Sequence, residues 1–121
     1  MARILLVDDD PSIRETLKEL INFEGNATDV AVDGSEALKR IKENSYDLVI
    51  LDRNMPIMSG IEVLQAVRAS PKYKDLKIIM LTSASVTKEI DEAYAAGANG
   101  YVLKPIDIPQ FAAKIKNALK K

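Results

Sequence analysis

The chain has 121 residues, 47% hydrophobic and 29% charged, and its 17 Lys+Arg against 18 Asp+Glu leave a formal net charge of −1. That length suits one domain, residues 1–121, able to bury roughly two thirds of its extended-chain surface, and the balanced charge offers no general attraction to nucleic acid or anionic membranes. His, Cys and Trp are absent, which excludes disulfide frameworks, thiolate nucleophiles, histidine triads and imidazole or sulfur metal sites. Any chemistry must use carboxylates, hydroxyls, amines and backbone groups, and any metal would be a hard cation such as Mg²⁺ or Ca²⁺ held by oxygen. The apolar run at residues 4–7 is too short for a signal peptide or a membrane span, so a cytoplasmic location is expected.

Short apolar runs alternate with helix-period segments five times. Residues 4–7 (Ile-Leu-Leu-Val) form a block of the kind a doubly covered parallel strand shows. Asp10-Pro11 reads as an N-cap with proline at the first helical position, and Ile13, Leu17, Leu20 and Ile21 give the apolar stripe up to Gly25. Residues 27–32 make a weaker, polar-interrupted strand, as an edge position permits. Asp33 occupies an ordinary helix-start position, and Gly34-Ser35 opens a second helix with Ala37, Leu38 and Ile41 inward and Asn44 near its end.

Residues 48–51 are the most apolar strand, with Asp52 at its carboxyl end. A loop over 53–59 containing Pro56 precedes a helix carrying Ile61, Leu64 and Val67, which Ser70-Pro71 breaks. Residues 78–81 are the fourth strand, ending in Thr82-Ser83, and Ser85 is expected to cap a helix through Ile90, Ala93 and Ala96 that closes at Gly97. Residues 101–103 are the fifth strand, followed by Lys104-Pro105. Asp107 starts a last helix with Phe111, Ile115 and Leu119 inward. Five strand–helix units with short connections imply an α/β fold, a doubly wound five-stranded parallel sheet with helices on both faces.

Ligands of open parallel sheets bind outside the carboxyl ends of the strands. There the chain places Asp8, Asp9 and Asp10, then Asp52, then Thr82 and Ser83, then Lys104 with Pro105. Two carboxylates roughly 5 Å apart at an effective dielectric near 20 repel by about 3 kcal/mol, so such a cluster holds a proton or binds a cation. Oxygen ligands point to Mg²⁺. Metal, ammonium and hydroxyl together suit a phosphoryl group in transfer, with a carboxylate as the available nucleophile. Each residue alone has a plainer reading. Asp10 is a helix cap, Asp52 a strand-end turn residue, Thr82-Ser83 loop and Lys104 a solvated lysine. Their coincidence at one rim favours a site.

The blocks Leu6-Val7-Asp8-Asp9, Leu51-Asp52-Arg53-Asn54-Met55-Pro56, Leu81-Thr82-Ser83-Ala84 and Tyr101-Val102-Leu103-Lys104-Pro105, with Gly60 and Ala95-Ala96-Gly97-Ala98, resemble a response-regulator receiver domain. The likeness runs from residue 3 to about 120 and implies a flavodoxin-like sheet in the order 2-1-3-4-5. It implies a phosphorylation-controlled switch in which Asp52 accepts a phosphoryl group. Asp9, Asp52 and the backbone carbonyl of Asn54 would ligate Mg²⁺, with Asp8 acting through water. Thr82 and Lys104 would bind phosphoryl oxygens, and the Lys104–Pro105 peptide would be cis. Tyr101 falls at the aromatic switch position, although a strand aromatic simply packing on the sheet fits it too. The face of the fourth helix, fifth strand and fifth helix would then change its affinity for a target.

By the same resemblance the phosphoryl donor is a sensor histidine kinase or a histidine phosphotransfer protein. The chain would act as a monomer on a downstream protein, without nucleic acid, membrane or output domain, catalysing only its own phosphoryl transfer and dephosphorylation. A stand-alone chemotaxis-type regulator is the expected form, with a phosphorelay intermediate as the alternative. An aspartyl-phosphate phosphatase of haloacid-dehalogenase type is the alternative of another class, but it needs an Asp where Asn54 stands. Arg53 departs from the apolar or aromatic residues common after the acceptor. The resemblance also implies that the Asn54 and Ala84 side chains would flank the path of the hydrolytic water.

Overall fold

Each apolar block becomes a strand of one parallel sheet because helices cover both of its faces. The computed structural model describes residues 2–83 and 87–120. In chain order it contains β1 (Arg3–Val7), α1 (Pro11–Phe23), β2 (Ala27–Ala31), α2 (Gly34–Glu43) and β3 (Leu48–Asp52). There follow α3 (Gly60–Arg68), a 3₁₀ turn (Pro71–Tyr73), β4 (Lys77–Thr82), α4 (Thr87–Ala95), β5 (Gly100–Leu103) and α5 (Ile108–Leu119). The strands lie in the order β2-β1-β3-β4-β5, all pairs parallel. This is the doubly wound, flavodoxin-like arrangement.

Strand alternation divides the core in two. Leu5, Val7, Val49, Leu51, Ile78 and Met80 face α2, α3 and α4 through Ala37, Ile41, Val63, Leu64, Val67 and Ala93. Ile4, Leu6, Leu48, Ile50, Ile79, Leu81 and Val102 face α1 and α5 through Leu17, Ile21, Phe111 and Ile115. Each fully buried aliphatic or aromatic side chain contributes roughly 1.5–3 kcal/mol by leaving water. β2, at the edge, is only partly buried apart from Ala31.

The caps agree with the sequence. Asp10 accepts hydrogen bonds from Ser12 N and Ile13 N, Asp33 from Glu36 N, and Asp107 from Gln110 N. Ser85, expected to cap α4, lies outside the described residues. In α3 the buried set is Gly60, Val63, Leu64 and Val67, whereas Ile61 is only half-buried. The reason is that Gly60 presses against the backbone of Asp52 and Arg53, which sets the helix face at positions 60, 63, 64 and 67 and turns Ile61 to its shoulder.

Arg3, at the start of β1, donates to Asp29 Oδ2 at 2.9 Å and Asn44 Oδ1 at 3.0 Å, and its guanidinium lies 5.1 Å from the Tyr46 ring centre. Tyr46 donates to the same Asp29 oxygen at 2.7 Å. Burial, then the bond to Asp29, pushes the Tyr46 hydroxyl up to about 12. The Tyr46 bond, with Arg3, holds Asp29 below the usual carboxylate range. An unfolded tyrosine ionises near 10. Between about 10 and 12 the folded chain therefore keeps a proton that the unfolded chain has lost, and stability falls as pH rises through that window. Tyr46→Phe should cost about 1 kcal/mol at neutral pH. It should also flatten the alkaline loss of stability in urea unfolding followed from pH 9 to 12; an unchanged alkaline slope would count against this clamp.

Candidate functional site

Register brings the reactive side chains level. Val7 pairs with Leu51, Asp52 with Leu81 and Thr82 with Leu103, so Asp8, Asp52, Thr82 and Lys104 emerge at one end of four adjacent strands. Backbone bonds beyond the strands hold that rim: Asp8 N donates to Ala31 O, Arg53 N to Leu81 O and Lys104 N to Thr82 O, at 3.2, 2.9 and 2.8 Å.

The three consecutive aspartates have separate tasks. Asp10 caps α1. Asp9 is exposed, while Asp8 is fully buried, accepting from Asp10 N at 2.9 Å through Oδ1. The Asp8 carbonyl also accepts from Arg14 Nη1 at 2.8 Å. Asp52 ends β3, buried, with Oδ1 accepting from Asn54 N at 3.3 Å. The start of α3 packs so closely behind it that position 60 must be glycine, because an added Cβ would lie 2.8 Å from Arg53 Cα and collide with the Asp52 carbonyl.

Lys104 is the counter-charge. Its Nζ lies 3.1 Å from Asp8 Oδ2 and 3.3 Å from Asp52 Oδ1. One carboxylate oxygen from each of Asp8, Asp9 and Asp52 falls within 4.8 Å of the others. Burial first, and then the charge of Asp8, raises the Asp52 carboxyl to about 6, only partly opposed by Lys104. For Lys104, burial pulls the ammonium down, but the hydrogen bond to Asp8 and the charges of Asp52 and Asp8 outweigh it and the net shift is upward. Among the described residues, the Lys104 ammonium pairs with the two buried carboxylates, Asp8 and Asp52, and exposed Asp9 adds a third acid to the group. A donor set of carboxylate oxygens, with excess negative charge and no nitrogen or sulfur ligand, fits a hard divalent cation.

Thr82 is buried at the end of β4, and the Lys104–Pro105 peptide is cis. Tyr101 stands apart from the acidic cluster. Its ring meets Tyr94 of α4 edge-on at 6.0 Å, and Lys114 Nζ of α5 lies 5.4 Å from its centre. Ala84 lies outside the described residues. The structure adds two side chains with no part in the sequence-level site. Arg14 clasps the Asp8 carbonyl, and Arg53 reaches α4, donating to Glu89 O and Glu92 Oε2, both at 3.0 Å. Only Arg53 had a signal, a charge where apolar residues are common.

A doubly wound sheet whose ligand end carries Asp8, Asp9, Asp52 and Lys104 defines a class of α/β protein with an acidic rim that could hold a cation. Comparison with known proteins narrows that class. Residues 4–116 match the response regulator receiver domain model, and the chain belongs to that family, which is not a classical enzyme family. Chemotaxis protein CheY-3 of Vibrio cholerae is 40% identical over 120 residues, covering 98% of this chain and 89% of that protein. The DNA-binding response regulator MtrA of Mycolicibacterium smegmatis is 39% identical over 119 residues, covering 98% of this chain but 51% of that protein. Response regulator protein TrrA of Thermotoga maritima, solved in complex with Mg²⁺-BeF, superposes with a TM-score of 0.88 at 45% identity, covering 98% of this chain and all of that one. No helix among the described residues is long and apolar enough to cross a membrane.

Proposed function

We propose that Asp52 accepts a phosphoryl group from a phosphohistidine of a partner kinase or phosphotransfer protein, and that the modified chain signals through protein contact. The observation that carries this reading is the Lys104 ammonium shared between Asp8 and Asp52 in a buried pocket. The Asp52 carboxylate attacks phosphorus in line, the partner's N–P bond breaks, and an acyl phosphate forms on the chain. Lys104, already beside the attacking group, neutralises charge on the transferred phosphoryl and keeps one oxygen hydrogen-bonded. The Thr82 hydroxyl takes another oxygen, and Asp8 keeps Lys104 aligned through its 3.1 Å bond. The three acids fit Mg²⁺, held by Asp9, Asp52 and the Asn54 carbonyl with Asp8 acting through water, and such an ion when bound supplies charge neutralisation at the phosphoryl oxygens.

Asn54, two residues after Asp52, has no proton to exchange at neutral pH, which favours a switch over an aspartyl-phosphate phosphatase. The signal would reach the α4–β5–α5 face through Thr82 and Tyr101, whose ring bridges toward Tyr94 and Lys114. A change from mostly off to mostly on needs roughly 5 kcal/mol of differential binding, within reach of several charge-assisted contacts to one phosphoryl. The 40% identity to CheY-3 over most of that protein favours a chemotaxis-type output.

Acetyl phosphate with Mg²⁺ should add one phosphoryl mass to the intact protein, and Asp52→Asn should abolish it. Label persisting in that variant would place the acceptor elsewhere. For the output, beryllofluoride-treated protein should capture a downstream target protein from its own cell extract where untreated protein does not. Capture of only a second phosphotransfer protein would instead assign a phosphorelay intermediate.

A further inference from the structure

We propose that Arg53 is a positioning residue that holds α4 in its unphosphorylated place against the acceptor loop; this rests on Asp52 being the acceptor. Helix α4 is lightly anchored. Among the described residues it buries only Ala93, whereas α3 buries Gly60, Val63, Leu64 and Val67. Elements with little buried apolar contact are the ones that shift at low cost, so a specific polar tie decides where such a helix sits.

Arg53 supplies that tie from a fixed base. Its N–H donates to Leu81 O and its carbonyl accepts from Gly60 N, both at 2.9 Å, so its backbone belongs to the sheet end and the start of α3. From there Nη1 donates to the Glu89 carbonyl and Nη2 to Glu92 Oε2, each at 3.0 Å. The planar guanidinium makes both bonds at once, which fixes orientation as well as distance. Its side chain is 14% exposed, so this pair is less screened than an ordinary surface ion pair, although Glu92 is half-exposed.

Arg53 follows Asp52 directly in the chain. The two 3.0 Å bonds to Glu89 and Glu92 are therefore fitted to the acceptor loop as it stands with Asp52 unloaded, and a loop rearranged around a phosphoryl group would strain them. The tie to α4 is therefore stronger in the unphosphorylated chain than in the phosphorylated one. By linkage, a contact that favours the unphosphorylated state opposes loading of Asp52 by the same factor, and removing it favours loading.

The test uses the full chain with beryllofluoride as the phosphoryl mimic at saturating Mg²⁺, and Mg²⁺ alone in parallel. Arg53→Met should bind beryllofluoride about 5-fold tighter, the low end of ordinary coupling between sites. Its affinity for Mg²⁺ alone should stay within about twofold, because Asp8, Asp9 and Asp52 are untouched; a general loosening of the fold would move both. Glu92→Ala, at a half-exposed helical position, should tighten beryllofluoride binding in the same direction, and the double variant should gain no more than Arg53→Met alone. Unchanged beryllofluoride affinity in both single variants, or fully additive gains in the double variant, would overturn the proposal. Asp52→Asn separates the two readings: beryllofluoride binding to it as tight as to the parent overturns the acceptor assignment itself.

Discussion

The structure turns on a single ammonium placed between two buried carboxylates. Lys104 reaches Asp8 at 3.1 Å and Asp52 at 3.3 Å, and it offsets part of the cost of burying both carboxylates. The compensation is incomplete, as the raised Asp52 carboxyl shows. With Asp9 close by, three carboxylates stand against the Lys104 ammonium, a surplus of negative charge that fits a divalent cation. Every other feature of the rim serves that arrangement. The parallel register sets the heights, Asp10 starts α1 clear of the pocket, and Gly60 lets the start of α3 pack closely behind Asp52.

The position of the pocket follows from topology. The strand order 2-1-3-4-5 reverses direction between β1 and β3, and the crevice opened there at the carboxyl ends is where doubly wound folds bind ligands. Asp8 and Asp52 stand on the two sides of that crevice. The lysine comes from β5, across the full width of β4, so the charge balance depends on all five units being wound correctly. Glycine-rich turns serve phosphate ligands in related sheets. Here Asp8 and Asp9 follow β1 instead, and with Asp52 they make a donor set that fits a cation.

Much of this was legible in residue order, because in a parallel sheet whatever follows a strand lands on one rim. Asp8, Asp9, Asp52, Thr82 and Lys104 could be placed together from strand ends alone, and the strand order follows from the family resemblance. Strand ends alone do not say which of Asp8 and Asp9 is buried, since the burial of one and exposure of the other depends on which way β1 is pleated at its last residue. Likewise the apolar pattern does not say that Val63 is fully buried while Ile61 only packs against the edge of the core, because a backbone contact at Gly60 sets the rotation of α3. Side chains that act over long separations left little trace. Arg3 to Asp29 and Tyr46, and Arg53 to Glu89 and Glu92, are tertiary pairings between residues that any solvated surface would accept. Ile57 adopts a left-handed φ of 72° where glycine or asparagine would ordinarily be looked for, so no local signal marks it.

The central claim is that the carboxylate–lysine pocket and the α4–β5–α5 face are two ends of one switch. Amide chemical shifts of the full chain, followed as Mg²⁺ and then beryllofluoride are added, test it most directly. Mg²⁺ alone should perturb residues 8–10 and 52–54. Beryllofluoride should then shift Thr82, Lys104, Tyr101 and the amides of α4 together, with one common midpoint. Shifts confined to the acidic pocket, with α4 and Tyr101 unmoved at saturation, would contradict it.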